Sequence, residues 1–188
     1  MRGRDRFHKV EPALHAAARA LGWLPAGFAA GTWWLIDGLP GLIGVGLRYI
    51  WIKRLCRNCG SNVMIGRHVD IRNWTGLSFG HNVTVHGHCY LDAIGGIRIL
   101  DDVSIAHATS ILSFEHRFDD ATRPIKDQPL QMSPVSIGPD AWIGAGVRIL
   151  AGAAIGARTV VAAGAVVTRG SLEAGVYGGV PARRLKAI

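Results

Sequence analysis

The sequence predicts a mainly β fold: a three-sided parallel β-helix that carries one projecting loop and is preceded by an apolar, helical segment. Three observations predict it. Aliphatic residues recur at every sixth position near the C-terminus, the chain is rich in glycine and poor in aromatics, and one long polar stretch interrupts the repeat. A period of six is neither the two of an ordinary strand nor the 3.6 of an α-helix. It belongs to a coil with flat sides, each side one short strand and one turn.

Ile137, Ile143, Ile149, Ile155, Val161 and Val167 stand six apart, and Ala141, Val147, Ala153, Thr159 and Ala165 follow the first five at a distance of four. The aliphatic side chains point inward and the small or β-branched ones fit the corners. Three such sides close a coil, which places Ile137 over Ile155 and Ile143 over Val161. Each inward aliphatic contributes about 1.5–3 kcal/mol when fully buried, and only stacked coils join them into a core. The same phase runs earlier through Ile65, Ile71 and Leu77, then Phe79, Val85, Leu91 and Ile97, then Ile99, Ile105 and Ile111. Two-residue slips at 77–79 and 97–99 predict enlarged corners. Residues 112–134 are polar and hold three prolines, so they read as a loop projecting from the helix, where function concentrates.

Net charge is +8 with a pI near 10.1, which favours anionic partners. The basic residues cluster only at 2–9, 48–57 and 183–186, and no aromatic-studded basic helix is present, so nucleic acid is not expected. Three cysteines are an odd number and suggest a reducing, cytoplasmic setting. Cys56 and Cys59 have CxxC spacing without a second pair, so no structural metal is expected there. Residues 1–58 form the N-terminal unit. Within it, 21–47 holds one charged residue, Asp37, but Pro25, Asp37 and Pro40 break the run, so it reads neither as a secretory signal nor as a membrane span. Trp33, Trp34 and Trp51, with Arg48, Lys53 and Arg54, leave two readings open for 21–54. One is peripheral contact with the inner face of a membrane; the other is an apolar helical cap packed on the following domain or on another subunit.

The motifs ILDDVSIAHATSILSFEH, SIGPDAWIGAGVRILAGAAIGARTVVAAGAVVTRG and VYGGVPARRLKAI make residues 59–188 resemble the hexapeptide-repeat acyltransferases, built on a left-handed parallel β-helix. Within that family the chain is most similar to sugar O-acetyltransferases of the maltose and galactoside type and to those acting on surface polysaccharides. The resemblance implies acetyl-CoA as acyl donor and a saccharide acceptor from capsule, exopolysaccharide or lipopolysaccharide. It also implies a homotrimer with active sites between subunits. His116, in SFEHRFDD, matches the general base; an imidazole titrating near neutrality suits removal of a hydroxyl proton. Glu115, Asp119 or Asp120 would orient it. The backbone N–H of Ala145 matches the oxyanion donor. Trp142, Ala145, Ala163, Thr168, Arg169 and Arg183, with Lys186 nearby, match positions that hold coenzyme A, where guanidinium groups suit the phosphates. Ala165 departs from the pattern, since serine is common there.

The stretch GHNVTVHGHC, residues 80–89, raises a rival. His81 and His86 resemble in register two zinc ligands of the γ-class carbonic anhydrases, on the same fold. That site needs a third histidine near residues 45–50, where the sequence reads VGLRYI, so no metal is expected. On the acetyltransferase reading, His86, His88 and Asp92 lie one coil below the loop and, with Glu115, contact the acceptor; alternatively the two histidines line a subunit seam. An inactive β-helix scaffold is the third reading.

Overall fold

Stacked coils build three parallel sheets, the flat faces of a prism, in a computed structural model that describes residues 3–188, with side chains from residue 10 onward. The basic cluster at 2–9 therefore lies outside the described side chains. The first face comprises Asn58–Cys59, Leu77–Phe79, Ile97–Ile99, Val135–Ile137, Ala153–Ile155 and Gly170–Leu172. The second runs from Met64–Ile65 through Thr84–Val85, Ser104–Ile105, Trp142–Ile143 and Thr159–Val161 to Gly175–Gly178. The third holds Asp70–Arg72, Tyr90–Asp92, Ser110–Leu112, Arg148–Ile149 and Val166–Val167. Ile137 pairs with Ile155, Ile143 with Val161 and Ile149 with Val167, the stacking that the six-residue period predicts. All six are buried.

Strands stay short because the chain must turn after two or three residues. At the first-to-second corner the turning residues are Asn62, Asn82, Asp102 and Asp140, with φ of 54, 56, 59 and 56°. Asn and Asp tolerate this left-handed region better than other side chains. They also stack: the Asn62 amide donates to Asn82 Oδ1 at 3.0 Å, and the Asn82 amide to Asp102 Oδ1 at 3.1 Å. The enlarged corners lie between the third and first faces, where Trp74–Gly76 forms a 3-10 turn. Leu77 and Phe79 both point inward from one strand, as do Ile97 and Ile99, which accounts for the two-residue slips.

Four helices, α1 (Gly3–Ala20), α2 (Ala26–Gly31), α3 (Trp33–Asp37) and α4 (Gly41–Leu55), precede the first coil. Trp33, Ile36, Tyr49 and Ile52 join the same buried cluster as the β-helix aliphatics. The packed cap is thus the arrangement found. Two residues on which the interfacial reading leaned are inside it. Trp33 is buried and its indole N–H donates to the Val69 carbonyl at 3.2 Å. Arg48 is 2% exposed; its Nε donates to the Ile65 carbonyl at 2.8 Å, and its Nη1 to those of Ile36, Asp37 and Leu39 at 3.2, 3.0 and 2.8 Å. A cation amid apolar neighbours is tolerable here because carbonyl oxygens replace its water. Among the described residues no helix is long and apolar enough to cross a membrane.

The interruption at 112–134 contains a hairpin. Phe114–His116 pairs antiparallel with Leu130–Met132, forming an arm that leaves the corner between the third and first faces. At the other end, Arg183–Lys186 folds back antiparallel onto Gly175–Gly178 and closes the second face.

Candidate active site

The corner joining the second and third faces carries residues 106–108, 144–146 and 162–164 in successive coils. Gly144 permits the close stacking: a Cβ there would stand 2.6 Å from the Ala163 nitrogen and 2.8 Å from the Val161 oxygen. Gly144 N–H donates to Val161 O at 2.8 Å, Gly146 to His107 O at 3.0 Å, Ala162 to Tyr177 O at 2.7 Å and Gly164 to Ala145 O at 2.8 Å. The N–H groups of Ala145 and Ala163 have no acceptor among the described residues. Two open donors on one edge are what a thioester oxygen and an amide-bearing arm require. Trp142 is 57% exposed on the second face, and Arg183 and Lys186 lie exposed on its last strand. Five of the expected coenzyme positions therefore share this face and edge.

Thr168, Arg169, Glu115 and His116 lie elsewhere, at the corner between the third and first faces and on the arm above it. His116 is exposed in a cleft of about 780 Å³ lined also by Arg117, Phe118, Leu130 and Arg169. Each carboxylate considered as its orienting partner is committed to another group. Glu115 accepts from Arg169 Nη2 at 2.7 Å, and that guanidinium also reaches Ser133 Oγ at 3.0 Å. Asp119 is held by Arg117, which pushes its pKa down. Asp120 accepts from the Thr122 hydroxyl at 2.6 Å and the Thr122 N–H at 2.9 Å, which lowers its pKa too.

His86 and His88 do not lie below the arm. They occupy the Ala145 corner two coils down, where the His88 ring stacks at 5.1 Å on His68. Only Asp92 sits beneath the arm. It is buried, its carboxylate accepts from the Asn73 amide at 2.7 Å and the Ile94 N–H at 3.2 Å, and its carbonyl accepts from Ser113 Oγ at 2.7 Å. In the single chain Asp92 thus anchors the root of the arm. His107, which no sequence motif marks, is exposed and lies directly below Ala145 in the same corner. Pairing of Ser104 with Trp142 gives the register that finds it.

His81 is at a different corner from His86, with its Nδ1 2.8 Å from the Ser61 hydroxyl. Among the described residues no group of three or more His, Cys, Asp or Glu side chains could hold a metal ion. Burial pushes the Cys56 thiol well up, and the Cys59 thiol to about 12.

A three-sided β-helix with an exposed histidine on a projecting arm and open N–H groups along a glycine-lined edge has the parts that acyl transfer needs. Residues 134–169 match the family described as "Bacterial transferase hexapeptide (six repeats)". A Mycobacterium tuberculosis protein bearing an acetyltransferase name is 40% identical over 128 residues, which is 68% of this chain and 43% of that protein. This chain thus spans less than half of that relative. Escherichia coli WbbJ, named for O-acetyl transfer in lipopolysaccharide biosynthesis, is 32% identical over 139 residues, 69% of this chain and 70% of WbbJ. A maltose O-acetyltransferase from Clostridium difficile superposes with a TM-score of 0.75 at 25% identity, covering 87% of this chain and 86% of its own. A Vibrio cholerae acetyltransferase solved with acetyl coenzyme A shares the fold, with a TM-score of 0.73 and 24% identity over 94% of this chain and 87% of its own. The chain belongs to the hexapeptide-repeat acetyltransferases, and its β-helix is the left-handed one of that family.

Proposed function

We propose that this chain transfers an acetyl group from acetyl-CoA to a hydroxyl of a saccharide, in a site shared by neighbouring copies of a trimer. The observation that carries the reading is the pair of unpartnered N–H groups at Ala145 and Ala163, on one edge beside Trp142. The pantetheine arm would lie along this edge, with Ala163 meeting one of its amides. Arg183 and Lys186 would meet the nucleotide end, while Arg169 and Thr168, at the corner that carries His116, would reach the coenzyme from a neighbouring copy.

His116 would take the proton of the acceptor hydroxyl as its oxygen attacks the thioester carbon. The negative charge formed on the carbonyl oxygen meets the Ala145 N–H. As the C–S bond breaks, the imidazolium returns its proton to the departing thiolate, so the histidine ends as it began. Ala145 and the root of the arm are about five residues apart along the third face, roughly 16 Å at the rise of a strand. That separation supports a site completed by the neighbour's His116. His86, His88 and His107, below Ala145, are then placed to meet the acceptor, with Glu115 and Asp92 on the arm's side. Acceptors destined for surface polysaccharide fit the sugar-directed names of the relatives.

Release of free thiol from acetyl-CoA, followed across a panel of sugars and amino sugars, tests this. His116→Ala should lower kcat by on the order of 10²–10⁴ while leaving the melting temperature unchanged. Turnover that survives this change would refute the assignment.

A further inference from the structure

We propose that the helical cap docks the protein onto an anionic lipid bilayer, with a crest of apolar side chains entering the interface and a basic cleft receiving a lipid phosphate. The crest is made of Trp23, Phe28, Trp34, Leu35, Leu42 and Ile43, which are 81, 61, 74, 52, 71 and 79% exposed. They lie on the 3-10 turn Leu21–Trp23, on α2 and α3, and on the first turn of α4. The inner sides of α3 and α4 are engaged, through Trp33, Ile36, Tyr49 and Ile52, and α2 buries Ala29. The outward apolar residues are therefore not a core left unfinished.

Side chains standing this far out of the surface suit a deformable layer of lipid, which closes around each one, better than a second protein surface, which would need a matched pocket for each. Two of the six are tryptophans, the side chain favoured at the headgroup level. The single acid within 21–47, Asp37, faces inward, with its carboxylate accepting from the Val69 N–H at 3.2 Å. No carboxylate of that stretch therefore opposes a negative surface.

Charge distribution names the partner's sign. Residues 1–57 hold nine Lys and Arg against three Asp and Glu, and so carry six of the chain's eight net positive charges. Between α1 and α4 lies a cleft of about 360 Å³ lined by His15, Ala18, Arg19, Lys53 and Arg54. Arg54 Nη2 donates to the Leu24 carbonyl at 2.8 Å, next to Trp23, which puts the cleft at one end of the crest. The Arg54 Nε is buried with no hydrogen-bond partner. Of the other cleft groups, His15 bonds the Tyr49 hydroxyl at 2.9 Å and stands 3.6 Å from Glu11, and Lys53 donates to the Cys59 carbonyl at 3.0 Å. A phosphate oxygen in the cleft would pair with Arg19 and with the guanidinium edge of Arg54 that lines it.

The test needs no acetyl transfer, so its failure and failure of the proposed reaction are read separately. The full chain is spun with vesicles of phosphatidylcholine alone or with about one third phosphatidylglycerol, a composition that gives the surface a negative potential. We expect sedimentation with the anionic vesicles only, weakening as salt is raised. Trp23→Ser with Trp34→Ser should lower the partition by roughly tenfold or more, and Arg19→Glu should lower it on anionic vesicles, with both variants keeping the wild-type melting temperature. Inorganic phosphate at millimolar concentration should not release the wild-type protein. Three results would overturn the proposal: no sedimentation with either vesicle, variants that bind as wild type does, or release by phosphate alone. A wild-type protein that ignores vesicles but self-associates more than the double-Trp variant would overturn it as well, assigning the crest to a second copy.

Discussion

At Gly144 the absence of a single carbon lets successive coils stack, and with them the edge on which the proposed chemistry rests. Any Cβ there meets backbone of the next coil, so Gly144→Ala should cost about 1–3 kcal/mol in urea unfolding, and part the coils where Ala145 must present its N–H. A neutral midpoint would mean the coils do not stack as closely as described. The cysteines offer a second check, with a sign. A thiol is uncharged when protonated, and burial raises its folded pKa. The stability it contributes is therefore full below the ordinary range near 9 and is lost as pH climbs towards 12. Urea midpoints should fall across that window, and native protein at pH 8 should resist alkylation until denaturant is added. At this scale much was legible in advance, because the inward aliphatics of the six-residue runs announced themselves by spacing; Val135, which points inward two residues before Ile137, did not. His107 was not, because the long insertion hides which residue of the coil below underlies Ala145. Nor were the partners of Glu115, Asp119 and Asp120, which depend on where an exposed hairpin places its arginines.

The elements divide into those fixed by repetition and those fixed by tertiary contact. The three faces follow from the period alone. The arm was legible only as a loop, since the three residues Leu130–Met132 are too short a run to announce a strand amid prolines and charges. Its pairing holds His116 opposite Leu130, which is where the proposed reaction needs a fixed imidazole. Replacing 117–129 by a short turn should change unfolding free energy by no more than about 1 kcal/mol, loop length being cheap, yet abolish thiol release. Retained turnover would remove the arm from the reaction. In α4 the burial of Arg48 overrode its charge, because one guanidinium answers four backbone carbonyls. Arg48→Met should destabilise by about 3 kcal/mol or more, since those oxygens would be left unpaired; an unchanged urea midpoint would contradict the bonding described.

For the whole molecule, the proposed reaction would make assembly part of the chemistry, because His116 and Ala145 lie at different corners of the prism. Mixing a His116→Ala chain with an Ala163→Trp chain, the second obstructing the coenzyme edge, tests this directly. Each alone should be inactive, whereas refolded mixtures should regain about a quarter of the wild-type rate by random assortment around a closed ring. Mixtures as silent as their parents would place the whole site in one chain. The sequence could not disclose this division, because the six-residue period says which side chains point in but not which corners of separate prisms meet.

The reversed strand Arg183–Lys186 has one more effect. Sheets that run the length of a prism invite another molecule to continue them, and an uncovered last strand is how such proteins turn into fibres. Here the growing end of the second face is sealed by a run holding Arg183, Arg184 and Lys186, all exposed. Two such ends brought face to face repel one another. A chain cut after residue 182 would lose that guard, and we expect it to polymerise end to end, visible as thioflavin-positive filaments that the intact protein never forms.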